Sequence, residues 1–164
     1  MTLRKNRYVA DFETTTDEED CRVWGWGIYS IKKDKYKVGN DLKDFMNELF
    51  KLPHSSIIYF HNLKFDGEFL LYQLFDMGFS HTQEWELKHK EFSTLIDGMG
   101  NWYSMKLSYK GKTFKIYDSL KIIPLRVEQM PKSFGIGDDL KGEIDYNKYR
   151  PPRNKPSLWK FKLC

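Results

Sequence analysis

The feature that most constrains this chain is the stretch Tyr8-Val9-Ala10-Asp11-Phe12-Glu13-Thr14-Thr15-Thr16. Apolar Val9, Ala10 and Phe12 surround two carboxylates and read as a short, mostly buried strand. In a strand, side chains at i and i+2 share a face, so Asp11 and Glu13 project side by side. Carboxylates held together in this way repel each other unless a cation lies between them. Hard oxygen ligands of that kind suit Mg2+ or Mn2+. The same residues also fit a strand running out into a solvated acidic turn, because Asp17, Glu18, Glu19 and Asp20 follow. On this stretch alone both readings stay open.

A chain of 164 residues makes one domain that buries about two-thirds of its unfolded surface. The 12 Phe, 10 Tyr and 5 Trp supply its core. No run of about 18 apolar residues exists, so no membrane span is expected. The basic N-terminus has no apolar segment behind it, so no secretory signal is expected either. Cys21 and Cys164 are the only cysteines, which argues against a disulfide framework and for a reducing cytoplasm. A net charge of +4 is compatible with a nucleic-acid partner but does not select one.

Further along, residues 22–31 alternate as a second strand, and 36–38 form a short third one. Asn40 is the expected N-cap of a helix over 41–51, whose Leu42, Phe45, Met46, Leu49 and Phe50 repeat at core spacing. Pro53 closes that helix, and 56–60 read as a buried strand. A second helix runs from about residue 64 to a stop at Gly78, with Asp66 in its first turn. Residues 80–90 are polar and irregular. Strands follow at 91–96, 102–109 and 113–119, the last two joined by a hairpin turn at 110–112. Residues 120–134 suggest a helix interrupted at Pro131, and 135–148 a loop. Residues 150–164 hold five basic residues, three prolines and no acid, a basic tail set apart from a domain at 1–149. The order of elements predicts an α/β domain with a mixed central sheet flanked by helices.

Asp11-Phe12-Glu13-Thr14 and Asn62-Leu63-Lys64-Phe65-Asp66 resemble the first two exonuclease motifs of family B DNA polymerases. With Asp20-Cys21-Arg22-Val23-Trp24, Tyr117-Asp118-Ser119-Leu120-Lys121 and Lys141-Gly142-Glu143-Ile144-Asp145-Tyr146 in the same order, the chain resembles the protein-primed phage members. That resemblance implies an RNase H-like 3′–5′ exonuclease fold, with Asp11, Glu13 and Asp66 as ligands of two divalent metals, Mg2+ or Mn2+. It also implies single-stranded DNA as a partner, held by Thr14, Asn62, Phe65, Phe69, Ser119, Leu120 and Tyr146, with Lys141 catalytic near the scissile phosphate. Terminal protein and the polymerase portion are further partners it implies, in the cytoplasm of a host cell, with no membrane. Read from the residues alone, Phe65 and Phe69 also fit core packing, and Lys141 and Tyr146 fit a loop surface.

The family's third motif, Tyr-x-x-x-Asp on a later helix, is missing. Tyr72 and Asp76 have that spacing, but Asp76 would sit roughly 15 Å along the helix from Asp66 and about 80° around it. Both cannot share one metal pair. The sequence therefore supports a weakly active exonuclease fragment or, alternatively, a non-catalytic module that binds DNA or protein.

Overall fold

The computed structural model describes residues 6–15 and 20–137. Eight strands form one mixed sheet: β1 (Arg7–Thr14), β2 (Val23–Ser30), β3 (Lys35–Gly39), β4 (Ser56–Phe60), β5 (Ser80–His81), β6 (Glu91–Ile96), β7 (Trp102–Tyr109) and β8 (Lys112–Asp118). Their order is β3-β2-β1-β4-β8-β7-β6-β5. The central strands β1, β4 and β8 run parallel to one another, and β2 and β7 flank them antiparallel.

Two helices, α1 (Leu42–Lys51) and α2 (Leu63–Asp76), cover one sheet face. Alternation along β1 sends Tyr8, Ala10 and Phe12 into this core. There Phe12, Phe45 and Phe60 meet edge to face, with ring centroids 4.8–6.0 Å apart. Across the sheet, Ile58, Ile116, Met105, Leu107 and Phe92 continue the same buried layer. The opposite face carries Val9, Asp11, Ile57, Tyr59, Lys115 and Tyr117.

The helix ends follow local chemistry. The N-cap of α1 is Asp41, not Asn40: Asp41 Oδ1 accepts from the Asp44 N–H at 2.8 Å, and only Asp41 is in register for that bond. α1 ends at Leu52, held extended in front of Pro53. At the end of α2, Gly78 adopts φ 76° while the Gly78 and Phe79 N–H groups donate to the Phe75 and Leu74 carbonyls. That is a Schellman close, which favours glycine at this position.

Two expectations are corrected. The 80–90 segment is not wholly irregular, since Ser80–His81 pair with Glu91 and Phe92 in parallel. Residues 120–134 do not form one helix. They make 3-10 turns at Ser119–Lys121 and Val127–Gln129, then a single short helix α3 (Met130–Ser133). Pro124 biases the residue before it away from helix, and Pro131 sits in the first turn of α3 rather than interrupting a helix. Cys21 is disulfide-bonded rather than a free thiol. No helix among the described residues is long and apolar enough to cross a membrane.

Candidate active site

The site builds up where the parallel strands end. β1 pairs with β4 only from Arg7 to Val9, so the two strands part beyond Val9 and Tyr59. The first turn of α2, which follows β4 directly, fills that gap and brings Asp66 beside the Phe12 N–H. Asp66 is 3% exposed, and its Oδ1 is buried without a hydrogen-bond partner. A buried carboxylate left in that state is costly, and the protein shifts its protonation instead. Burial first, then the nearby Asp11 charge, push the Asp66 carboxyl up to about 8, with Glu13 adding to the rise and the Phe12 and Asp66 N–H groups opposing it.

Asp11 responds in the same way. It is exposed as a residue on the open face, yet its carboxyl is partly screened from water. That desolvation and the Glu13 charge raise it, against the Phe12 N–H and the charge of His61. Three carboxylates from β1 and α2 thus act on one another at one sheet edge. Among the described residues, however, no group of three or more His, Cys, Asp or Glu side chains is gathered closely enough to hold one ion.

Around them stand the residues expected to hold a strand. Thr14 is half-buried at the end of β1. Asn62 caps α2 in the left-handed region, φ 68° and ψ 56°, and its side chain makes no cap bond. Phe65 is 46% exposed, while Phe69, ring centroid 5.6 Å away, packs half-buried against the core. Ser119 and Leu120 sit in the turn after β8. Lys141 and Tyr146 lie outside the described residues.

Two further residues tie these parts together: Asp118, which has no role in the sequence reading, and His61, which the sequence reads as ordering the loop rather than ligating metal. Buried Asp118 ends β8, and its Oδ1 accepts from both the Asn62 N–H (3.0 Å) and the Leu120 N–H (2.9 Å). His61 joins the same loops, with Nδ1 3.1 Å from Ser119 Oγ and Nε2 2.9 Å from the Leu125 carbonyl. His61 is thus occupied in ordering the loop. Asp118 falls within the Tyr117–Lys121 motif, and an Asp before a Ser at a strand end is in addition a local N-cap pattern.

Comparison with known proteins places the chain in a family. A family model described as DNA polymerase type B, organellar and viral, matches residues 47–156. The DNA polymerase of Bacillus phage phi29 is 43% identical over 155 residues, covering 91% of this chain and 26% of that polymerase. That of Streptococcus phage Cp-1 is 34% identical over 162 residues, again covering 91% and 26%. The solved phi29 DNA polymerase complexed with single-stranded DNA has a TM-score of 0.78 at 39% identity, covering 92% of this chain and 27% of that one. Its complex with primer-template DNA has a TM-score of 0.79 at 40% identity, covering 90% and 26%. The chain spans about a quarter of the length of the relatives it matches, and its mixed α/β sheet, an RNase H-like fold, matches their amino-terminal region. This chain belongs to the type B DNA polymerases of organelles and viruses and corresponds to the amino-terminal domain of the protein-primed phage members.

Proposed function

We propose that the chain is the 3′–5′ exonuclease, or proofreading, portion of a phage replicative polymerase. On this reading it holds the 3′ end of single-stranded DNA with two divalent cations and, alone, hydrolyses it weakly. The observation that carries the reading is the partnerless Oδ1 of buried Asp66, set beside Asp11 and Glu13 where parallel strands end. An oxygen-only donor set with an orphaned buried carboxylate fits Mg2+ or Mn2+, held by Asp11, Glu13 and Asp66. Such ions, when bound, supply an activated water and charge compensation on the phosphodiester.

The chain's own residues do the rest. Phe65 offers an exposed ring on which any base can stack, which suits sequence-blind proofreading. The uncapped Asn62 side chain is free to reach the terminal nucleotide, and Asp118 fixes its backbone. Ser119, oriented by His61 and by its bond to the Phe60 carbonyl (3.1 Å), borders the same cleft with Leu120. Lys141 and Tyr146 complete the reading as scissile-phosphate and primer contacts, and terminal protein and the polymerase portion as partners, in the host cytoplasm. The phi29 polymerase complexes with single-stranded and primer-template DNA support DNA as the ligand.

A second reading, a module that binds DNA without cleaving it, is favoured by the absence of a closed three-ligand group among the described residues. A 3′-labelled oligonucleotide in Mg2+ or Mn2+ separates the two. Slow release of the terminal nucleotide that Asp11→Ala and Asp66→Ala abolish is expected. Cleavage indifferent to both substitutions defeats the first reading, and binding without turnover in either metal selects the second.

A further inference from the structure

A second concave surface lies at the other end of β1. A cavity of about 380 Å3 opens between β3 and the C-terminal end of α1, with Tyr8, Ile28 and Leu52 inside and Lys33, Lys35, Lys37 and Lys51 around it. Tyr8 precedes Asp11 by three residues and Glu13 by five, about 10 and 17 Å along an extended strand, and it faces the opposite side of the sheet from both, so this surface is separate from the carboxylates. Glu48 is the one acid among the described residues that line it and is engaged by Lys37 and Lys51, each at 2.5 Å. Those lining residues thus sum to a net charge of +3, four lysines less one glutamate.

We propose that this edge binds the phosphodiester backbone of a nucleic-acid strand that crosses β3 away from the active site. Lys35 and Lys37 lie on one face of β3, about 7 Å apart, so the charge is strung along a line rather than gathered to a point. A compact phosphate would call for a nest of backbone N–H groups or a helix N-terminus. Here α1 presents its C-terminal end, which disfavours an anion deep in the cavity and leaves the rim to a passing chain. Between the two lysines, Tyr36 is 75% exposed on the other face of β3, beside its cross-strand neighbour Tyr29, where a base can stack. Lysines on an edge strand also guard against edge-to-edge pairing. That role alone requires neither Lys51, from another element, nor a bare tyrosine among them.

The test uses the full chain, a labelled circular single-stranded DNA and EDTA. A circle has no 3′ end, so the result is independent of the exonuclease reading, and either can fail without the other. Fluorescence anisotropy across a salt series should show binding whose log–log salt slope falls by about 1.4 in Lys33→Gln/Lys35→Gln, about 0.7 for each lost single-strand contact. The paired Lys→Arg variant should restore the slope, and Tyr36→Ala should weaken binding without altering it. An unchanged slope in the glutamine variant overturns the proposal, including where that variant aggregates while binding as before. Displacement of the circle by polyglutamate at equal charge concentration also overturns it, assigning the edge to an acidic protein.

Discussion

Asn62 does two jobs that one substitution can separate. Its backbone sits at φ 68°, a conformation tolerated by Asn and natural to Gly, while its side chain makes no cap bond. Asn62→Gly should therefore keep the thermal midpoint close to that of the parent while weakening binding of a linear oligonucleotide with a free 3′ end. Asn62→Ala is the poorer probe, because a left-handed Ala adds strain of about 1 kcal/mol or more. If the glycine variant binds the 3′ end as the parent does, the Asn62 side chain has no part in the site. At this scale the sequence was legible for Asp11 and Glu13, whose shared face follows from a period of two. The isolation of Asp66 Oδ1 was not, because it depends on β1 parting from β4 beyond Val9, a tertiary event with no local signature. The bond from the Asn62 N–H to Asp118 was hidden for the same reason, since that donor lies 56 residues away, whereas the Leu120 donor two residues on is a local cap.

Among the elements, α2 positions the site, and its seating depends on a glycine. A β-bulge between Leu95 and Ile96 shifts the β6–β7 register and turns Trp102 toward α2. A Cβ at Gly67 would lie 2.5 Å from Trp102 Cζ3 and 2.8 Å from its Cε3. Helix propensity alone favours Gly67→Ala by about 1 kcal/mol. Overpacking against a buried indole opposes it by about 1–3 kcal/mol. The clash should win, lowering the urea midpoint and, because Asp66 is the preceding residue, weakening any stabilisation by Mn2+. A more stable Gly67→Ala protein would show that α2 has room to shift. Most elements were legible: the alternation of β1, the apolar stripe of α1 and the Lys110-Gly111 turn of the β7–β8 hairpin are local patterns. The 120–134 segment misled because its apolar residues permit a helical reading. Asp118 captures the Leu120 N–H, and Pro124 intervenes, before such a helix can propagate.

For the molecule as a whole, α1 and α2 pack on one sheet face, and Asp11 and Glu13 project from the other, beside the start of α2. Repulsion among these carboxylates and Asp66 is thus built into the fold, and it makes stability depend on pH. The folded Asp66 carboxyl titrates at about 8, against an ordinary value near 3.8, and Asp11 shifts in the same direction. Between these two values the folded chain keeps a proton that the unfolded chain has released. Stability without metal should therefore fall as pH rises from about 4 to about 8, by up to about 1.4 kcal/mol per pH unit for Asp66, and level off above. A divalent cation binds the deprotonated form, so Mn2+ should raise the unfolding midpoint strongly at pH 8 and little at pH 5. Asp66→Asn stays neutral throughout and should flatten both the pH slope and the response to metal. Urea unfolding at pH 5, 6.5 and 8, in EDTA and in Mn2+, measures each of these. If the parent chain is equally stable at all three pH values in EDTA, the three carboxylates do not crowd one another, and nothing at that sheet edge calls for a cation.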